Sequence, residues 1–414
     1  MISQYFWPEP FIINQLVNTL VEQGHGITVL TGKPNYPDGN IYEGYSAKGL
    51  QKEYFADVIE VYRVPLRPRG SASSLNLVKN YFSFILSGLR HFPRLLRGRE
   101  VDVILVYVPS PITSVIPAIL VKWLKKAHLA VWVQDLWPES LAATGHVRNR
   151  LALTLVGWLV NWIYRCADTL LIQSKAFQAP MQKRTDAEKI VYYPNSMHRS
   201  DLTIATQTRP SEALLQQMDS SFSIVFAGNL GKAQSLQTII EAAKQLQDLS
   251  GVRLFLVGSG SMSDWLVEQK SRLKLDNLVI AGRYPMEAMP EIYAHADALL
   301  VTLTASEIFS LTVPSKIQAY LASGKPLIAA INGEGARVIQ EANAGLACSA
   351  EDVEGLVQSI RRMYAMTAEE RKQLGQNGYD YFNQHFEMEA QAKNLIDILT
   401  ARIHKVKKDN KCEY

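Results

Sequence analysis

The sequence predicts an α/β protein of two Rossmann-like domains facing across a cleft. Three observations lead there. The chain has 414 residues, and a single core stops growing near roughly 250 to 300 residues. Short β-branched runs alternate with helical stretches, the pattern of a parallel sheet covered on both faces. That alternation breaks off once and starts again.

In the first domain, taken as residues 1–196, strands are expected at Ile27–Thr31, Val58–Val64, Val101–Val108, Leu129–Gln134, Thr169–Gln173 and Ile190–Tyr193. Helices fall between them at Ile12–Gln23, Leu75–Leu96, Thr113–Lys126, Arg150–Cys166 and Lys175–Gln182. Gly24 stands where a helix-ending glycine belongs. Residues 197–221 are polar and unpatterned and read as an interdomain linker. The second domain, 222–384, resumes with strands at Phe222–Phe226, Arg253–Val257, Leu278–Ala281, Ala298–Thr302 and Pro326–Ile331. Its helices are expected at Leu236–Leu249, Met262–Arg272, Met289–His295 and Lys316–Ala322. Beyond Gly345 the pattern is mostly helical, from Glu354 to Ile403, and His404–Tyr414 reads as a solvated tail. Residues 385–414 are expected to pack back on the first domain.

Composition fits a folded protein, with 47% apolar and 20% charged residues. The net charge of +4 conceals an asymmetry. Up to Arg199 there are 22 Lys and Arg against 14 Asp and Glu, an excess of +8; the remainder carries −4. The two parts therefore face different partners. Cys166, Cys348 and Cys412 are too scattered for a disulfide framework or a metal site, so a reducing compartment is expected and no metal or cofactor. Gln4, Pro8, Glu9 and Pro10 interrupt the first apolar stretch, which excludes a signal peptide, and prolines break the best membrane-spanning candidate. Cytoplasmic residence follows.

The chemistry concentrates in the second domain. The strand ending at Phe226 runs into Gly228, Asn229, Leu230 and Gly231 before a helix, and Gly258-Ser-Gly260 follows the next strand. Glycine-rich strand-to-helix turns let a phosphate approach backbone N–H groups and the positive end of a helix dipole. Pro314, Ser315 and Lys316 form a pre-organised helix start bearing a hydroxyl and a cation, which suits a pyrophosphate leaving group. Each turn alone is equally an ordinary tight turn; two at successive strand ends weigh more.

Several stretches together resemble the family 4 glycosyltransferases of the GT-B fold, over nearly the whole chain. They are Ile2-Ser-Gln-Tyr-Phe-Trp-Pro-Glu9, Gly24-His25, Leu30 to Gly39, Val133-Gln-Asp-Leu-Trp-Pro-Glu139, Tyr193-Pro-Asn195, Phe226 to Gly231, Pro314-Ser-Lys316 and Tyr320 to Pro326. The nearest branch adds sugars in O-antigen and colanic-acid-type polysaccharide assembly and includes WbuB-like N-acetyl-L-fucosamine transferases. The resemblance implies a retaining transfer from a nucleotide diphosphate sugar, UDP-linked, to a lipid-diphosphate-linked saccharide. Two departures stand out. Many members carry two glutamates where this chain has Leu311 and Ala319, and an Arg and a Lys where it has Asn229 and Gln234. Positive charge for the diphosphate then falls to Lys316, with Arg283 as a weaker candidate. Asp135 and Glu139, at the end of a first-domain strand, are the candidate acidic groups for the acceptor or the reacting sugar, equally readable as a helix cap and a solvated first-turn residue. Glu9 and Asn14 are candidate acceptor contacts, equally readable as capping or solvated groups, and Glu334 in its Gly-Glu-Gly turn is a candidate donor contact or a complement to the helix dipole.

Between Val61 and Arg99 there are eight Lys and Arg and no carboxylate, with aromatic and aliphatic residues interleaved. Such a helix reads as binding the inner face of the cytoplasmic membrane, against an alternative of plain core packing with a basic outer side. Nucleic acid would accept the charge, but no binding module for it accompanies the stretch. Two other readings stay open: a GT-B-fold sugar-nucleotide epimerase and a non-catalytic membrane-surface protein. A nicotinamide-dependent dehydrogenase is disfavoured, because Trp7-Pro-Glu-Pro10 replaces the glycines that such a site needs after its first strand.

Overall fold

The computed structural model describes residues 1–70, 74–143, 149–199 and 209–412. The chain divides into two compact units, Met1–Asn195 with Gln391–Tyr414, and Ser196–Ala390.

The first unit runs α1 (Ile12–Glu22), β1 (Thr28–Thr31), β2 (Gln51–Phe55), β3 (Ile59–Arg63), α2 (Ser74–Leu95), β4 (Val103–Val108), α3 (Ile116–Lys125) and β5 (His128–Val133). It continues with α4 (Glu139–Ala143), α5 (Arg150–Cys166), β6 (Thr169–Ile172), α6 (Gln178–Gln182) and β7 (Ile190–Tyr192). The strands pair in the orders β1-β3-β2 and β4-β5-β6-β7. Ile2 joins the two sets by bridging Leu30 on one side and Val106 on the other. All these pairings are parallel except β2 with β3. Every residue of β5 is buried, as expected of a central parallel strand covered on both faces. Helix α1 buries Ile13, Leu16, Val17 and Leu20, an i, i+3, i+4, i+7 stripe. Asn149 caps α5, its side chain accepting from the Leu151 and Ala152 N–H groups at 2.9 and 3.4 Å.

The second unit runs α7 (Glu212–Asp219), β8 (Phe222–Ala227), α8 (Leu236–Gln245), β9 (Val252–Val257), α9 (Ser263–Leu273), β10 (Leu278–Gly282), α10 (Met289–Ala294) and β11 (Ala298–Thr302). Then come α11 (Glu307–Ser310), α12 (Ser315–Ala322), β12 (Leu327–Ala330), α13 (Glu334–Glu341), β13 (Gly345–Cys348), α14 (Val353–Ala365), α15 (Ala368–His385) and α16 (Met388–Cys412). Its six strands are all parallel, in the order β10-β9-β8-β11-β12-β13. This doubly wound order reverses direction between β8 and β11, and ligands bind such sheets outside the carboxyl ends of the strands at that switch. Strand parity builds the core. Val225, Phe255, Leu299 and Val301 enter one apolar layer, and Ile224, Phe226, Leu254, Leu256 and Leu300 the layer on the opposite face.

Four expectations need correction. Residues 209–221 of the expected linker contain helix α7, because Ser211 accepts from the Leu214 N–H and Leu214 and Met218 reach the core. The middle of that linker, 200–208, lies outside the described residues. Strand β2 was missed because its residues Gln51, Lys52 and Glu53 are polar and it pairs at the sheet edge; β13 was missed because Gly345-Leu-Ala-Cys348 is short and small. The helix expected to end at Ile403 runs on: α16 continues to Cys412, and its part from Gln391 belongs to the first unit, where Leu395 and Leu399 are buried.

Among the glycines that contact makes obligatory are Gly258 and Gly333. Gly258 lies at φ +148, and a Cβ there would stand 1.8 Å from the Gly228 carbonyl oxygen; Gly333 lies at φ +70, with the Ser310 oxygen 2.0 Å from such a carbon. Gly258→Ala is therefore expected to force the two phosphate-type turns apart and lower stability by about 1 to 3 kcal/mol. Denaturant unfolding of the purified variant measures this, and an unchanged midpoint would show that the turns are not tightly apposed.

Candidate functional site

At the carboxyl ends of β8, β9 and β10 successive turns lock together. The Gly228 N–H donates to the Val257 oxygen at 2.9 Å, the Gly258 N–H to Gly282 at 2.7 Å, and the Leu230 N–H to Ser259 at 2.9 Å. The Asn229 side chain lies between the glycine turns: a Cβ on Gly231 would meet its Nδ2 at 2.8 Å, and one on Gly260 its Oδ1 at 2.6 Å. The turn after β8 is also tied to β11, through Thr302 Oγ1 donating to the Gln234 oxygen at 2.5 Å and the Thr304 N–H to Ala233 at 3.0 Å. This tie spans the switch point of the sheet.

Lys316 reaches this place from the first turn of α12. Its Nζ is 3.5 Å from where a Cβ on Gly228 would be. It donates to Gln234 Oε1 at 2.5 Å and stands 3.9 Å from the centre of the Phe226 ring. Neither partner carries a negative charge. Burial without a counter-charge lowers the Lys316 pKa to about 7. Helix α12 is set by Tyr320, fully buried, whose hydroxyl accepts from the Ala227 N–H at 2.8 Å and donates to the Ala227 oxygen at 3.2 Å. Ser315, exposed, opens the same helix.

Glu334 begins α13 beside this helix start: a Cβ on Gly335 would meet Pro314 Cδ at 3.2 Å, and Gly333 abuts Ser310. Its buried carboxylate accepts from Arg337 Nε and Nη2 at 2.9 and 3.0 Å. Arg283, exposed, follows Gly282 and makes no hydrogen bond or ion pair among the described residues. Gly228, Asn229, Gly231, Ser315, Lys316 and Glu334 are thus gathered at one end of the second sheet, and Arg283 stands at its β10 margin.

In the first unit, Glu9 is buried and its carboxylate accepts from the Phe6, Asn35 and Tyr36 N–H groups at 3.2, 2.8 and 2.8 Å. Burial pushes its pKa up to about 6 in spite of these donors. Asn14 uses both ends of its amide on the same loop, donating to the Glu9 oxygen at 2.7 Å and accepting from the Trp7 N–H at 2.9 Å. Both residues shape the loop that leads into α1, and Glu9 ties it to the loop after β1. Glu139, at the start of α4, pairs with Arg184 at 2.7 Å. Asp135 differs from all of these. It is half-buried just past β5, it has no hydrogen bond or ion pair among the described residues, and burial raises its pKa to about 6.

The sequence reading missed Gln234 and Phe226 as the residues that hold Lys316, and Arg337 as the partner of Glu334. Gln234 carried a signal, since it stands where many relatives have a lysine; the i, i+3 spacing of Glu334 and Arg337 on a helix was another.

Comparisons with known proteins identify the family. Residues 12–196 match the glycosyl transferase 4-like domain and residues 215–381 the glycosyl transferases group 1. Fold and site define a nucleotide-sugar-type glycosyltransferase with two Rossmann-like domains, and the chain belongs to family 4 of the GT-B glycosyltransferases. It is 26% identical over 365 residues, 84% of this chain and 86% of the other, to the "Putative colanic acid biosynthesis glycosyl transferase WcaI" of Escherichia coli K12. Solved structures of similar fold include a trehalose-6-phosphate protein of E. coli bound with UDP-2-fluoro glucose, with a TM-score of 0.71, 12% identity, and 96% and 98% of the chains covered. Another is HepE of Anabaena in complex with UDP, with a TM-score of 0.64, 15% identity, and 97% and 98% covered.

Two outcomes follow from the perturbed groups. If Lys316 grips a diphosphate as a cation, binding above pH 7 must take up a proton, so the Kd for a UDP-sugar should rise up to about tenfold per pH unit above 7 and level off below it. Calorimetry across that range tests this, and Lys316→Met should bind more weakly with the slope removed; an unchanged slope would sink the assignment. For Asp135 the folded pKa of about 6 exceeds the ordinary aspartate value of 3.8. Its contribution to stability is thus present below 3.8 and lost as pH rises through 6. Asp135→Asn should be more stable than the natural protein by about 1 to 3 kcal/mol at pH 7 to 8 and indistinguishable from it below the ordinary value. Denaturant titrations at the two pH values decide this.

Proposed function

We propose that the protein is a retaining glycosyltransferase that moves a sugar from a UDP-linked donor to a lipid-diphosphate-linked saccharide at a membrane surface, in O-antigen or exopolysaccharide assembly. The observation that carries this reading is Lys316, a half-buried cation with no ion pair among the described residues, beside two glycine turns at the switch point of a doubly wound sheet. A diphosphate supplies the missing negative charge. Similar proteins with UDP or a UDP-sugar in their structures, and a relative named for colanic acid biosynthesis, support it.

In the proposed reaction the bond between the donor C1 and the β-phosphate oxygen breaks, and its electron pair leaves on the diphosphate. The acceptor hydroxyl bonds to C1 on the same face of the sugar, and its proton passes to the departing phosphate oxygen. Lys316 and the N–H groups of Asn229 and Gly231, the two in that turn not given to Val257 and Ser259, stabilise the charge developing on the diphosphate. Ser315 and Arg283 contact the phosphates. Glu334, oriented by Arg337, contacts the donor sugar, for which N-acetyl-L-fucosamine is the proposed identity. In the first unit Asp135 contacts the acceptor or the reacting sugar, with Glu9, Asn14 and Glu139 supporting its loops. An unpaired carboxylate kept at a cost in stability is the usual mark of a functional group.

A panel of UDP-sugars incubated with undecaprenyl-diphosphate-linked N-acetylglucosamine, read by product mass, tests the reading. Lys316→Ala should lower turnover by about 100-fold or more while leaving the melting temperature within a few degrees. Near-normal turnover in that variant would overturn the placement of the leaving group.

A further inference from the structure

Seventeen large apolar side chains are exposed among the described residues, and ten of them stand on α2, α3 and α5 of the first unit. These helices share one face of the sheet. The crossovers β4-α3-β5 and β5-α5-β6 advance in the same direction through parallel strands, and right-handed connections put both helices on the same side. Helix α2 packs along α3. Lys122 near the end of α3 donates to the Cys166 oxygen at the end of α5, at 2.7 Å.

The apolar groups are ordered. On α5, Leu151, Leu155, Trp158 and Trp162 recur at helical spacing along one line, with Leu151 76% and Trp158 67% exposed. Phe82 and Leu86 continue the exposed surface on α2, and Trp123 on α3. The charge on these helices has a single sign: they hold seven Lys and Arg and no Asp or Glu. Arg90 and Arg94 lie at the end of α2, and Arg150 and Arg165 at the two ends of α5, all exposed.

We infer that this three-helix face of the first unit seats on an anionic lipid bilayer, with the α5 line immersed at the headgroup boundary and the flanking cations on lipid phosphates. Tryptophan prefers that boundary, and cations beside an apolar stripe with no carboxylate are complementary to an anionic surface. A second copy of the chain is a poor occupant, because a two-fold contact would set the same cations against themselves. No helix among the described residues is long and apolar enough to cross a membrane, so the contact is with the surface. The inference deepens the proposed function, since it says how the enzyme meets a lipid-linked acceptor, and it extends the basic stretch of α2 to a face centred on α5.

The test is co-sedimentation of the full chain with vesicles of phosphatidylcholine alone or mixed with phosphatidylglycerol. The natural protein should bind the mixed vesicles and hardly the neutral ones. Leu155→Glu with Trp158→Glu should cut partitioning to the mixed vesicles by roughly tenfold or more, and Arg90→Gln with Arg94→Gln by a similar factor. Both pairs are exposed, so folding should persist, and unchanged UDP binding by calorimetry verifies it. Equal binding by natural and altered proteins, or none by the natural protein, overturns the inference. So does a dimer by light scattering that L155E/W158E dissolves without any vesicle binding. If vesicles bind but no UDP-sugar is turned over, the docking face stands and the catalytic reading fails.

Discussion

A half-buried lysine ammonium with no ion pair among the described residues is the constraint at the strand ends of the second unit. Lys316 is retained there by a neutral amide and an aromatic ring, both of which tolerate a cation without neutralising it. Its lowered pKa is the cost of that arrangement in the absence of an anion. The turns around it are packed so closely that two of their glycines leave no space for a side chain. A phosphate bound here would meet a cation, the N–H groups of Asn229 and Gly231 and the start of a helix together.

The first unit uses its polar groups differently. Glu9 and Asn14 spend their hydrogen bonds on the loop leading into α1 and the one after β1, and Glu139 is neutralised by Arg184. Asp135 alone is left half-buried and unpaired among these candidates. The contrast separates carboxylates already paired from the one that is not.

Much of the architecture was legible in residue patterns. Strands such as β5 and β8 are continuous apolar runs because both of their faces are covered, and α5 matched its expected limits from end to end. Elements that escaped were those whose signal is not hydrophobic period. Strand β2 is polar because it lies at an edge, and α7 is a short helix fixed by a serine cap within a polar stretch. The tail after Ile403 looked solvated because it is charged, yet the helix carries on through it.

The sequence by itself determined the two α/β units, the glycine turns, the lysine at a helix start and the family, because these depend on local propensity, periodicity and residues adjacent in the chain. Only the tertiary structure decided which groups are charged, paired or available. Gln234 meets Lys316, Arg337 claims Glu334, and three backbone N–H groups claim Glu9, through contacts made by folding. The same holds for the exposed line on α5, whose spacing reads as an ordinary core stripe until the fold shows that no described element covers it. Burial and pairing are properties of neighbours in space, and a linear order of residues does not specify them.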